Sequence, residues 1–318
     1  VLFRSGKVYN KPYYIWQRII DADRNPTALD MLWYASKSYS NTKKTEMPLD
    51  NYFRRSEITT FRSSWNDPMG IFAAIKGFNS EDRSHTDLDS GDFVLESDGV
   101  QWAEELGGDN YNLPGYFNMS KNNLNRWSYY RKRAEGQNTI VINPNKGADQ
   151  NPNGITKVVS FKSMTDKAFS IINTTSAYND AVKTLRGLMI FDNRTKVLLQ
   201  DEIELKDFGD VWWFMHTSKN ISIEDNGQTA VLSDGNKKLW IHIISPDKNL
   251  RFTEMDAKPL SSSPNPIGQN KNEGIRKLTI HVNHVKKLNI AIVFVPEDNN
   301  TIIGNIPKFA PLNLWGEW

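Results

Sequence analysis

The chain has 318 residues, 38% of them hydrophobic and 24% charged, with a net charge of +2 and no cysteine. That length supports one large β domain or two modest ones. The absence of cysteine excludes disulfides, thiolate chemistry and thiolate metal sites, and so small a net charge gives no electrostatic case for nucleic acid. No apolar run is long enough to span a bilayer. Ten Trp, eleven Tyr and fifteen Phe suit either sugar-stacking surfaces or the core of a large β-sandwich.

The first elements read as helices. Asn10 with Pro12, and then Asn25 with Pro26, look like N-caps followed by first-turn prolines. Leu29, Leu32, Trp33 and Ser36 fall on one helical face. Two helices so closely joined form a hairpin too small to bury its own faces, so residues 1–47 are expected to be the last turns of a larger helical domain.

After Pro48 the pattern changes to period two. Strands are expected at residues 70–77, 92–96, 126–133, 138–143, 157–161, 169–174, 185–191, 196–204, 211–217, 229–232, 239–244, 277–282 and 290–295. Turn signals separate them, including Ser97-Asp98-Gly99, Asp225-Asn226-Gly227 and Ser233-Asp234-Gly235. Many strands with short turns and no intervening helices give a mostly β, antiparallel fold over residues 48–318, a sandwich or stacked sheets. Residues 261–272, rich in Ser, Pro and Asn, read as a loop inside that domain.

Chemistry concentrates in three segments. In Ser84-His85-Thr86-Asp87-Leu88-Asp89-Ser90-Gly91-Asp92, alternation puts His85, Asp87 and Asp89 on one side of an extended chain. An imidazole can take a proton near neutral pH, and a carboxylate beside it can orient it. Residues 99–117 read as a loop, and Tyr111, Tyr116 and Phe117 would either face a sugar or pack the loop down. Residues 126–139 set Arg126, Arg131, Lys132 and Arg133 among Trp127, Tyr129 and Tyr130. On a strand, Tyr129, Arg131 and Arg133 would share a face suited to an acidic polysaccharide, or would form a charge-protected edge. His216 alternates with Trp212 and Phe214 and reads as a structural histidine, as do His242, His281 and His284.

Taken in order, Arg62-Ser63-Ser64-Trp65, residues 85–93, 102–117 and 130–143, and Gln200-Asp201-Glu202 followed by Trp213-Phe214-Met215-His216-Thr217 resemble heparinase II/III-like polysaccharide lyases. The resemblance spans residues 48–295. It implies a helical (α/α) toroid followed by an antiparallel sandwich, with residues 1–47 as the end of the toroid. It implies β-elimination on a uronic-acid polysaccharide of glycosaminoglycan or alginate type. His85 matches the family's catalytic histidine, and Tyr111 and Tyr116 fall near tyrosines lining its cleft. Arg131 and Arg133 are added as substrate-binding candidates. The neutralising Asn or His and the tyrosine acid/base would come from the toroid, expected upstream of Val1 together with an export signal. The given chain alone is therefore expected to be inactive, and the intact protein to be periplasmic or secreted.

The resemblance also implies a metal, often zinc, held by two histidines and an aspartate. The matching positions here are Asp87, Glu105 and Gln137. Without an imidazole, this set favours calcium, or no metal, over zinc. The alternative function is a non-catalytic, carbohydrate-binding sandwich that keeps the lyase fold.

Overall fold

The computed structural model describes residues 8, 9, 14, 15, 18, 27, 28, 47–78, 86–118, 125–297 and 308–317. It divides into two compact units. One comprises Val1–Leu49 with Ser64–Pro68, the other Asp50–Ser63 with Met69–Trp318. In the first unit, residues 8, 14, 15, 18 and 28 have helical backbone, and the Trp65 indole donates to the Pro48 carbonyl at 3.1 Å. The rest of the expected hairpin lies outside the described residues.

The second unit opens with a five-stranded antiparallel meander: β1 (Asn51–Phe53), β2 (Ile58–Arg62), β3 (Phe72–Lys76), β4 (Phe93–Ser97) and β5 (Val100–Ala103). The β4–β5 hairpin turns on Asp98 and Gly99, with φ of 57° and 70°. Such left-handed pairs match the twist of the strands they join, which is why Asp-Gly is a hairpin signal. Residues 100–103, expected as part of a loop, are therefore strand, and the loop begins at Glu104.

A larger antiparallel sheet follows. Its strands are β6 (Ile140–Ile142), β7 (Lys157–Ser163), β8 (Ala168–Asn173), β9 (Ala181–Phe191), β10 (Lys196–Thr217), β11 (Asn220–Glu224), β12 (Thr229–Asp234), β13 (Lys237–Ile243), β14 (Phe252–Asp256) and β15 (Arg276–Pro296). The spatial order is β11-β12-β13-β15-β10-β9-β8-β7, with β6 also pairing with β10 and β14 with β15. The fold is thus the mostly β, antiparallel sandwich expected from the sequence. The sequence reading splits β10 and β15 into two strands each. Both run on, because a bulge between Glu204 and Gly209 absorbs the polar interruption without ending the pairing.

The main core lies between the sheets. Phe61, Ala73, Ile75, Phe93 and Leu95 of the small sheet pack with Val197, Leu199, Ile290, Ile292 and Phe294 of the large one. The alternate residues, Leu198, Ala291, Val293 and Val295, meet Leu312 and Trp315 on the opposite face. Central strands buried on both faces need apolar residues at every position, hence the continuous runs 197–199 and 290–295. Gly187 permits this second layer: a Cβ there would stand 2.5 Å from Leu312 and 2.7 Å from the Trp315 ring.

Residues 126–133, expected as a strand, instead form 3-10 turns at Arg126–Ser128 and Tyr130–Lys132, continued by Ala134–Gly136. Asn125 caps the first, its side chain accepting from the Trp127 amide at 2.9 Å. Arg126, Trp127, Tyr129, Tyr130, Lys132, Arg133, Ala134 and Glu135 are all buried. Only Ser128 and Arg131 are partly exposed, so alternation along this segment carried no information.

Candidate functional site

Three pieces of chain converge at one end of the second unit: the segment 86–92 entering β4, the loop 104–118 leaving β5, and the 3-10 turns. They enclose a cavity of about 330 Å³ lined by Lys76, Asp87, Asp89, Glu105, Tyr111, Tyr116, Phe117, Arg126 and Lys132, with Gly107 and Gly108. Three carboxylates there face three cations. Lys132 Nζ donates to both oxygens of Asp87, at 2.7 and 2.9 Å. Arg126 reaches the same carboxylate at 3.3 Å and binds the Thr86 carbonyl at 2.8 Å. Lys76 donates to Asp89. Burial pushes the Asp89 carboxyl up to about 6, against the pull of Lys76. Burial, and then the neighbouring Glu105 to which it is hydrogen-bonded, holds Asp92 well above the usual carboxylate range.

The aromatic residues of the loop divide between two roles. Tyr116 is 1% exposed. Its hydroxyl accepts from the Asp109 amide at 2.9 Å, and its ring carries the Arg126 guanidinium at 5.3 Å and the Lys132 ammonium at 5.8 Å. Tyr111 stacks against Tyr116 with ring centroids 5.5 Å apart and is 55% exposed. Of the two tyrosines selected from the sequence, Tyr111 presents a ring to solvent, while Tyr116 is the base on which the cations rest.

The two selected arginines also separate. Arg131 is half-buried, donating to the Gly108 carbonyl and to Asn272 at 2.9 and 2.8 Å. Arg133 corrects the expectation of a substrate-facing cation. It is 0% exposed and pairs with Asp149, while binding the carbonyls of Trp127, Gly147 and Asn145 at 3.1 Å. A guanidinium with its donors consumed inside the protein holds loops together and has none left for a sugar. Because the segment is coiled in 3-10 turns, Tyr129, Arg131 and Arg133 do not form the common exposed face of a strand.

The candidate metal ligands differ in their surroundings. Asp87 and Glu105 line the cavity and Gln137 does not. Gln137 Nε2 donates to the Arg131 carbonyl at 2.9 Å, and its Oε1 is buried with no partner. Among the described residues, no group of three His, Asp or Glu side chains is disposed to hold a metal ion.

His85 lies outside the described residues. Thr86, the next residue, borders a second cavity of about 500 Å³, lined by Trp127, Ser128, Lys146 and the amides of Asn125, Asn145, Gln150, Asn151, Asn153 and Asn179. His216 is buried, as a structural histidine should be. Asn138 Oδ1 accepts from its backbone amide at 2.7 Å and lies 3.3 Å from its Nδ1. Asn138 Nδ2 is directed at the Phe93 and Glu104 carbonyls, so its oxygen must accept. That places a proton on Nδ1; burial keeps the ring neutral, so the Tyr130 hydroxyl donates to Nε2 at 2.7 Å. The remaining histidines stack on rings: His281 on Trp212 at 3.8 Å, His284 on Phe208 at 4.4 Å and His242 on Trp240 at 6.4 Å.

Residues 75–284 match the family model described as heparinase II/III-like, C-terminal. The solved heparan sulfate lyase HepC from Pedobacter heparinus superposes with a TM-score of 0.62 at 14% identity, over 92% of this chain and 43% of that one. A structure titled heparinase III gives 0.57 at 15% identity, over 78% and 36%. The heparinase III-BT4657 gene product gives 0.59 at 14% identity, over 94% and 45%. The chain thus spans less than half the length of these proteins, and at such identities the likeness is one of fold. No curated protein matches the chain in sequence.

Proposed function

The chain belongs to the heparinase II/III-like C-terminal family, and from that membership we propose that it is the sandwich part of a lyase cleaving a uronic-acid polysaccharide by β-elimination. The observation that carries this reading is the family match itself, whose range, residues 75–284, takes in His85 and the cavity-forming segments.

Elimination requires that the uronate carboxylate be neutralised, that a base take the C5 proton, and that an acid protonate the departing O4. His85 is the proton-transferring residue this chain contributes. Tyr111 offers an exposed ring beside the cavity, and Arg131 an adjacent cation for an acidic chain. On this reading residues 1–47 close an (α/α) toroid whose other helices supply the neutraliser and a tyrosine, and the protein works in the periplasm or outside the cell. No helix among the described residues is long and apolar enough to cross a membrane.

The test uses intact protein with heparan sulfate, heparin, hyaluronan and alginate, following the ultraviolet absorbance of the unsaturated uronate. A rise with one polymer, lost in His85→Ala, is expected. No rise with any of them would remove the lyase assignment.

One observation favours the second reading, a non-catalytic sugar-binding sandwich: the Asp87 carboxylate is engaged by Lys132 and Arg126, so the chemistry implied by the resemblance is altered beside the catalytic position. Polysaccharide binding by intact protein without turnover, unchanged in His85→Ala, would establish that reading.

A further inference from the structure

We infer that the ammonium of Lys132 takes the place a divalent metal would occupy at Asp87, so that this site is closed by an internal cation and binds neither zinc nor calcium. The inference goes beyond the lyase reading and stands apart from it, because its test reads metal content rather than turnover.

The first support is coordination. Lys132 Nζ donates to both Asp87 oxygens, at 2.7 and 2.9 Å, and so fills the side of the carboxylate from which a cation would meet both. Lys132 is not a swinging surface side chain. Only 6% of its side chain is exposed, its carbonyl accepts from the Leu88 amide at 3.1 Å, and its ammonium lies over the Tyr116 ring. The same 3-10 turns bring Arg126 to the carboxylate as a second cation.

Charge is the second. The cavity's three carboxylates, Asp87, Asp89 and Glu105, are balanced by Lys76, Arg126 and Lys132. A divalent ion would add two positive charges to a balanced, partly buried set, and would sit next to an ammonium it must displace.

The third is the donor set. Glu105 is already hydrogen-bonded to Asp92. Gln137 offers one neutral oxygen, its buried Oε1, and its amide nitrogen is committed to the Arg131 carbonyl. An amide oxygen is a poor zinc ligand, and calcium needs six to eight oxygens.

The experiment equilibrates the full chain with calcium or zinc, removes free ion by gel filtration, and measures bound metal by mass spectrometry, with melting temperature followed with and without chelator. Bound metal well below one ion per chain and an unchanged melting temperature are expected. One tightly held ion per chain, or a melting temperature lowered by chelator, would overturn the inference.

A second arm compares Lys132→Leu with the double variant Asp87→Leu/Lys132→Leu. Losing the ammonium alone leaves Asp87 with less compensation, so the single variant should melt several degrees lower and regain part of the loss in calcium, whereas the double variant should melt closer to wild type. A single variant that melts with the wild type would also overturn the inference. Should that variant not fold, the metal content of the wild-type chain still decides.

Discussion

Arg186 on β9 and Asp201 on β10 stand directly opposite each other in the large sheet and form a two-pronged buried pair, with N–O distances of 2.6 and 2.8 Å. The remaining arginine donor reaches the Gly91 and Asn138 carbonyls, at 2.8 and 2.9 Å. One guanidinium therefore ties the large sheet to the segment that carries Asp87 and Asp89, and to the residue that orients His216. Replacing Arg186 alone by Met strands Asp201 as a buried charge and is expected to cost about 3–5 kcal/mol. The double variant Arg186→Met/Asp201→Leu should recover part of that loss. Urea unfolding of the three proteins measures both, and a double variant no more stable than the single one would show that the ion pair was not the source of the cost.

Arg131 and Arg133 should respond in opposite ways. Arg133→Ala strips the buried Asp149 of its ion-pair partner, while Glu135 keeps Lys277 at 3.4 Å, and is expected to destabilise by about 3–5 kcal/mol. Arg131→Ala, at a half-buried position, should cost about 1 kcal/mol while weakening retention on a heparin column. If Arg133→Ala melted with the wild type and Arg131→Ala alone unfolded, the assignment of roles would be reversed.

Burial, reinforced by the Lys277 charge, holds His216 well below its usual pKa of 6.5. The folded state therefore keeps the ring neutral while the unfolded chain takes up a proton. The stability linked to this group is fully present above about pH 6.5 and falls as the pH drops below it, by about 1.4 kcal/mol per unit until the folded pKa is reached. Asp89 and Asp149, pushed up to about 6 chiefly by burial, give the opposite slope, but that is shared with His216→Gln and cancels in the difference. Urea unfolding from about pH 7.5 to about pH 5 should show wild type losing more stability than the variant. Equal slopes would mean that His216 titrates normally.

The close approach at Gly187 carries its own expectation. Gly187→Val would drive methyl groups into Leu312 and Trp315, lifting the 308–317 segment from the outer face. A loss of more than about 2 kcal/mol is expected, together with a red shift of tryptophan emission. A variant with wild-type emission and stability would show that this face is more loosely packed than the contacts indicate.

The fold was legible where side chains are one-sided or runs are wholly apolar, as in residues 93–97, 188–191 and 290–295. It was not legible where burial removed the alternation. Residues 126–136 are buried except at Ser128 and Arg131, a spacing of three that the 3-10 turns set, so their mixture of aromatic and basic residues read as a strand. The useful signal was Asn125 three residues before Ser128, a cap followed by its partner. The polar residues 205–210 and 283–289 read as breaks, because bulges within long strands leave no trace in periodicity. At the site, Asp87 and Asp89 were found together as expected from their spacing. What Asp87 touches could not be read, since Lys132 lies 45 residues away and only the 3-10 turns bring it there.

The central claim, β-elimination by the intact protein, is tested most directly on its product. Heparan sulfate and alginate would each be digested to completion and the new non-reducing ends analysed by mass spectrometry. Elimination gives an end one water lighter than hydrolysis does, with a double bond between C4 and C5, and that end is expected with at least one polymer. Saturated ends, or polymers left uncut at high enzyme concentration, would contradict it.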